Sequence, residues 1–164
     1  MERLVLTLIV LACFALALWG MRLGWRRKAR EQSVRVPPFP EIPAEPGEAE
    51  LETGGLYVST TTAGNWQDRI VTRGAGMRGR AELRLYPGGI AVDRVGAPGF
   101  WIPRESITDI GLGSAIAGKV MGTPGLLVIT WRAGDVALDT GFRADDPEVY
   151  PQWTEKVRIE GGSA

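Results

Sequence analysis

Two hydrophobic patterns divide the chain. From Leu4 to Gly24 apolar residues occupy every side of a helix, and Arg22 is the only charge. Crossing ~30 Å of hydrocarbon takes about 20 helical residues, so this run is long enough to span a bilayer. After residue 50 the pattern becomes alternation. In Arg80-Ala81-Glu82-Leu83-Arg84-Leu85-Tyr86 it puts Ala81, Leu83 and Leu85 on one face and the charged groups with Tyr86 on the other, which predicts a half-buried strand. Pro87-Gly88-Gly89 turns that strand into Ile90 to Arg94, a hairpin, and Arg132 to Asp135 turns Leu126–Trp131 into Val136–Phe142, a second one. Gly55–Ser59 reads as the opening strand, with Phe100–Ile102 and Ile107–Leu112 as shorter ones. Near the carboxy end the period changes to four, through Val149, Trp153 and Val157, behind an acidic Asp145, Asp146 and Glu148 that suits a helix amino end. Pro151 predicts an irregular first turn, with regular helix from about that residue onward.

The expected fold class is therefore mainly β: a bent antiparallel sheet or barrel of roughly six or seven strands, capped by one carboxy-terminal helix and preceded by one transmembrane helix. The expected segments are an anchor with its basic flank over residues 1–28, a linker over 29–50 and a β domain over 51–161.

Charge sets the expected orientation of the anchor. Arg26, Arg27, Lys28 and Arg30 lie directly after the apolar run, whereas Glu2 and Arg3 cancel before it. The excess of positive charge places the linker and the β domain in the cytoplasm and the amino terminus outside. Trp19 and Trp25, with Arg22 snorkelling and Arg26, Arg27 and Lys28 beyond, form the membrane-interface set. A cleaved secretory signal is the competing reading, with Ala15-Leu16-Ala17 as its cleavage site. It conflicts with a basic block on the wrong side and an apolar run that continues past Ala17. Gly20 and Gly24 make a GxxxG spacing that permits helix pairing, though small residues there also simply tolerate lipid.

Prolines at 37, 38, 40, 43 and 46 exclude helix or central strand from the stretch beyond the basic block, and past Arg35 its charges are acidic. That composition predicts an extended polyproline spacer holding the domain off an anionic leaflet. The alternative is a proline-rich ligand, Pro37-Pro38-Phe39-Pro40, for an aromatic groove.

Composition removes several function classes. Nineteen basic and 19 acidic residues balance, which argues against nucleic acid as a partner. There is no histidine, and the one cysteine, Cys13, lies in the apolar run. That removes most hydrolytic triads, histidine acid/base chemistry, thiol nucleophiles and His/Cys metal sites from the β domain, leaving carboxylates, Ser/Thr, Lys and Tyr as possible catalysts, and neither a cofactor nor a metal is expected. Asp68, Glu82, Asp93 and Asp109 lack paired spacing, and Ser59 with Thr60–Thr62 has no imidazole to activate a hydroxyl, so no enzyme is expected. Gly113 to Lys119 has a phosphate-loop spacing, but Val120 stands where a metal-binding hydroxyl belongs, and the surrounding strands are antiparallel candidates. A flexible connection explains those glycines and alanines as well.

The strand order resembles the pleckstrin-homology-like domains of bacterial membrane proteins, with Phe100-Trp101-Ile102-Pro103 leading into Glu105–Ile110 and a helix closing the chain. Tyr57–Trp66, Leu126–Trp131 and Asp139–Asp146 resemble, more narrowly, single-span actinobacterial membrane or export proteins. The resemblance implies a fold and no activity. It also draws attention to Arg69, Arg73, Arg78, Arg80 and Arg84, because pleckstrin-homology domains grip phosphoinositide head groups with basic residues in this loop and strand. Arg78-Gly79-Arg80 fits the short part of that pattern, without the preceding lysine. Guanidinium forks pair with phosphate, and Gly74, Gly76 and Gly79 could add backbone amides. The plainer reading is a strand face neutralised by Asp68 and Glu82. Trp66, Trp101, Trp131 and Trp153 read as packing groups. Two functions are expected from these features: a membrane-tethered, non-catalytic adaptor with a protein partner, or an anionic lipid or phosphate sensor built on the arginines.

Overall fold

The computed structural model describes residues 2–113 and 125–161, without the side chains of 28–34, 66, 73 and 159–161. The phosphate-loop-like stretch beyond Gly113 therefore lies outside the described residues. The first element is α1, Glu2–Arg35. Its part Glu2–Arg27 is long and apolar enough to cross a membrane, and no protein covers that part. Trp19, Arg22, Trp25, Arg26 and Arg27 are all exposed along it, while the side chain of Lys28 is outside the description.

The β domain obeys the alternation read from the sequence. Its strands are β1 (Leu51–Thr62), β2 (Asn65–Arg69), β3 (Gly79–Tyr86), β4 (Gly89–Arg94), β5 (Phe100–Pro103), β6 (Ile107–Leu112), β7 (Leu127–Ala133) and β8 (Val136–Ala144), and α2 (Tyr150–Gly161) closes the chain. All strand pairs are antiparallel. The order is β5-β4-β3-β1-β8-β7-β6, with β2 paired to β1 off that path. Among the described residues the sheet does not close by hydrogen bonds, since β5 and β6 end the path. They are joined in sequence by a short 3-10 turn, Arg104–Ser106.

Long β1 holds the two halves together by pairing with β3 on one side and β8 on the other. Gly55 permits this, because a Cβ there would meet the Phe142 ring at 2.7 Å and the Ala144 backbone at 2.9 Å. The inward face of β3 is Ala81, Leu83 and Leu85, all buried as the alternation predicts. Tyr86, on the other face, joins Ala91 and Trp101 in a small outer cluster. The β7–β8 turn is reduced to Gly134-Asp135, and Gly134 sits at φ 59°, a left-handed conformation that glycine adopts without strain.

Beneath the sheet, α2 buries Tyr150, Trp153 and Val157 in the main core. A 3-10 turn, Pro147–Val149, precedes it, so the irregular entry expected before Pro151 is present. Asp146 caps that turn by accepting from the Glu148 amide at 2.9 Å. Arg104 ties the far end of α2 to the β5–β6 corner by donating to the Lys156 carbonyl at 2.9 Å.

The segment between α1 and β1 differs from the expected spacer. Residues 29–35 continue α1, because the first proline falls only at 37. Val36 is then buried in the main core, while Phe39 and Ile42 pack against the main and outer clusters respectively. Only beyond Ile42 does the stretch run outside the domain in the expected manner, with residues 43–45 exposed. Proline does exclude helix and ladder pairing here. The apolar residues set between the prolines nonetheless have a groove to fill.

Candidate functional site

Two of the five arginines of the expected cluster, Arg80 and Arg84, are engaged with carboxylates. Arg84, in the middle of β3, faces carboxylates on its own and neighbouring strands. It donates to Asp93 at 2.8 Å, pairs with Glu82 and lies 3.6 Å from Glu52. A hydrogen bond shared with Glu52, helped by partial burial, holds the Glu82 carboxyl above its ordinary range. Arg80 forms a two-pronged pair with Asp145, both contacts 2.8 Å. The hydrogen bonds from Arg80 pull the Asp145 carboxyl down, and the same bonds push the Arg80 guanidinium up. Both guanidiniums thus face carboxylates, the self-neutralised arrangement that the charge pattern suggested as the plainer reading. Arg69 ends β2, and Arg78 stands exposed at the foot of β3. Arg73 lies in the 3-10 turn Thr72–Gly74, against which α1 packs.

Sequence reading overlooked Arg94, the most embedded basic group of this region. Its guanidinium lies 5.0 Å from the Tyr57 ring centre and 5.3 Å from that of Phe100. It donates to the Gly74 carbonyl at 2.9 Å and to the Pro98 carbonyl at 2.6 and 3.0 Å. Burial pulls its pKa down, opposed by Tyr57. Behind it runs a buried hydroxyl chain. Tyr57 donates to the Ala75 carbonyl at 2.6 Å and meets Thr60 at 2.7 Å, Thr60 meets Thr140 at 3.0 Å, and the Trp131 indole donates to Thr140 at 3.0 Å. Burial raises the Tyr57 phenol to about 12. The Thr60–Thr62 run is thus partly an internal brace for the loop after β2, and among the described residues no group is set to activate a hydroxyl there. A surface depression of about 340 Å³ lies beside it, lined by Gly54, Arg80, Ala81, Glu82, Asp93, Arg94 and Val95. Its basic and acidic walls suit neither a free anion nor a free cation.

The two ends of the open sheet are treated differently. On β6 the Ile110 amide is taken by the Asp109 carboxylate at 2.9 Å, and the Ile110 carbonyl by Arg158 of α2 at 3.2 Å. Side chains thus satisfy the Ile110 groups, with which a further strand would pair. On β5 the Trp101 amide donates to the Pro40 carbonyl at 2.8 Å. Beside that bond Phe39 sits between Phe100 and Trp131, with ring centres 5.0 and 5.3 Å away. Ile42 rests against Tyr86, Ala91 and Trp101. One signal in the sequence could have exposed this strap: the apolar Val36, Phe39 and Ile42 spaced by three inside an otherwise polar, proline-rich stretch. Trp101, Trp131 and Trp153 are buried packing groups, in line with expectation, and the side chain of Trp66 is not described.

An open antiparallel sheet braced by a carboxy-terminal helix, preceded by a helix long and apolar enough to span a membrane, defines a β domain of the pleckstrin-homology-like class. The bacterial PH domain-like family model matches residues 36–158, and the chain belongs to that family. The match begins at Val36, the first residue after α1 to enter the core. Among solved structures the chain is similar to one described as Vav1 inhibited by an allosteric inhibitor. The identity is 13%, the TM-score 0.39, and the match covers 69% of this chain and 26% of that one. No curated protein matches.

Proposed function

We propose that the chain is a non-catalytic adaptor, a PH-like domain held at the membrane by α1 on the cytoplasmic side, which recruits a protein through its open sheet. The supporting observation is the sheet path itself, which ends in two edges, β5 and β6, with a tether attached beside β5. Backbone edges accept extended segments, and tethering raises the effective concentration of whatever binds them. Basic residues after the apolar run, Arg26 and Arg27 among them, support the cytoplasmic orientation. The test is a pulldown with the full chain from native membranes, quantified against a chain bearing an unrelated soluble domain on the same α1. Specific recovery of a protein supports the adaptor, and recovery no different from the control rejects it.

A second reading, contact with anionic lipid head groups, keeps one observation in its favour. The 3-10 turn carrying Arg73 packs against α1, and close by Arg78, Met77 and Val95 are exposed, the two apolar residues at 69% and 76%. Arg78 then carries the contact, since Arg80 and Arg84 are engaged with carboxylates. Full chain in nanodiscs with and without anionic lipid tests this by hydrogen exchange over residues 74–79. Protection that appears only with anionic lipid and is lost in Arg78→Ala supports it, and indifference to lipid charge removes it.

A further inference from the structure

We propose that residues 37–43 are a displaceable strap, and that the groove they fill along β5 is the protein-docking surface of the domain. Its occupant in trans would be an extended peptide carrying an aromatic residue, then proline, and an aliphatic residue two positions after the proline. The inference rests on the adaptor reading and names its surface.

Three features carry it. The first is the asymmetry of the edges. At the β6 edge the Ile110 amide and carbonyl are taken by Asp109 and Arg158, side chains of the sheet and of α2, whereas at the β5 edge the Trp101 amide is taken by the Pro40 carbonyl of a segment outside the sheet. The second is the grip. Val36 is 2% exposed and fixed in the core, but Phe39 and Ile42 are only partly buried, and residues 43–45 are exposed. The strap can peel from the proline side while Val36 stays, a local opening that leaves the sheet intact. Proline also limits its hold. Pro37, Pro38, Pro40 and Pro43 have no amide proton, so the strap offers β5 few donors. The third feature is what the strap covers. Phe100 and Trp131 form an aromatic floor with ring centres 6.2 Å apart and planes 19° from parallel, and the Trp101 amide stands beside them. Aromatic floors with one backbone hydrogen-bonding group accept proline-containing extended segments. The strap has that chemistry, with Phe39-Pro40 over the floor and Ile42 in the outer cluster.

A peptide of the strap's own sequence, Arg35 to Pro43, is the probe, labelled with a fluorophore and titrated into the full chain in detergent micelles. The comparison chain carries Phe39→Ala and Ile42→Ala, which empty the groove while Val36 remains. Binding at least tenfold tighter to the double variant than to the wild type supports the strap. Equal binding to both chains, or binding to neither while the variant keeps its far-ultraviolet spectrum, overturns it. If the variant fails to fold, amide exchange in the wild type decides. A Trp101 amide that exchanges at least tenfold faster than that of Leu83 supports local release, and equal protection makes the strap a permanent part of the core and overturns the proposal. Failure of the pulldown rejects the adaptor and leaves the peptide result standing, so the two readings fail separately.

Discussion

Raising the pH from 10 to 12 should destabilise the wild-type β domain relative to Tyr57→Phe, and the size of the effect comes from the buried hydroxyl chain. In the folded state burial lifts the Tyr57 phenol from 10.0 to about 12. The unfolded chain therefore loses this proton near pH 10, and the folded chain holds it to about 12. Between those values the native state binds the extra proton, so stability falls as pH rises, by about 1.4 kcal/mol per unit and about 2 to 3 kcal/mol in all. Below pH 10 this contribution is fully present. Tyr57→Phe removes both the titration and the hydroxyl. The Ala75 carbonyl keeps the Thr60 amide at 2.9 Å, and Thr60 keeps Thr140 at 3.0 Å, so neither partner is orphaned. The cost near neutrality should then be about 1 kcal/mol. The wild type is thus the more stable chain at pH 8 and the less stable at pH 12, and the two curves cross in between. Urea unfolding of the full chain in micelles, followed by near-ultraviolet circular dichroism, measures both curves. Parallel curves from pH 8 to 12 would refute the burial argument.

Gly55→Ala should cost about 2 kcal/mol or more, because its Cβ meets the Phe142 ring and the Ala144 backbone at the junction of β3, β1 and β8. A thermal midpoint unchanged from wild type would contradict that crowding. Removing residues 2–27 should release the chain from membranes yet leave the β domain folded, since every deleted residue is exposed. Removing 2–44 should cost about 3 kcal/mol or more beyond that, through loss of buried Val36 and of the strap. Equal urea midpoints for the two truncated chains would show that residues 28–44 contribute nothing to the fold.

The fold was legible wherever apolar and polar residues alternate. Leu83 and Leu85 face inward because one strand face must be buried, and the turns after Tyr86 and Ala133 carry glycine where the backbone needs it. The period of four through Trp153 likewise identified α2. Three things were not legible. β2 is hidden inside the connection after Thr62, because Asn65–Arg69 is short and polar and pairs only with the end of β1. The strap reads as spacer because proline content masks Phe39 and Ile42, whose partners, Phe100, Trp131 and Trp101, lie far off in sequence. For the arginines, position along β3 is evident from the chain, but the carboxylates opposite them are contributed by β1, β4 and the residues after β8. Which guanidiniums remain open is therefore a property of strand order.

That strand order also explains why the strap, and not the sheet, is the adaptable part. β1 is paired on both sides, α2 and Arg104 brace the corner between β5 and β6, and the Tyr57–Thr60–Thr140–Trp131 chain fixes the loop beside Arg94. Each of these joins segments distant in sequence, so none opens without disturbing several others. The strap is joined to β5 by a single backbone bond through Pro40 and by side chains that are only partly covered, and it continues directly from α1 through Val36. Val36, fixed in the core, stands between α1 and the strap, so release of the strap leaves both the sheet and the start of the segment in place.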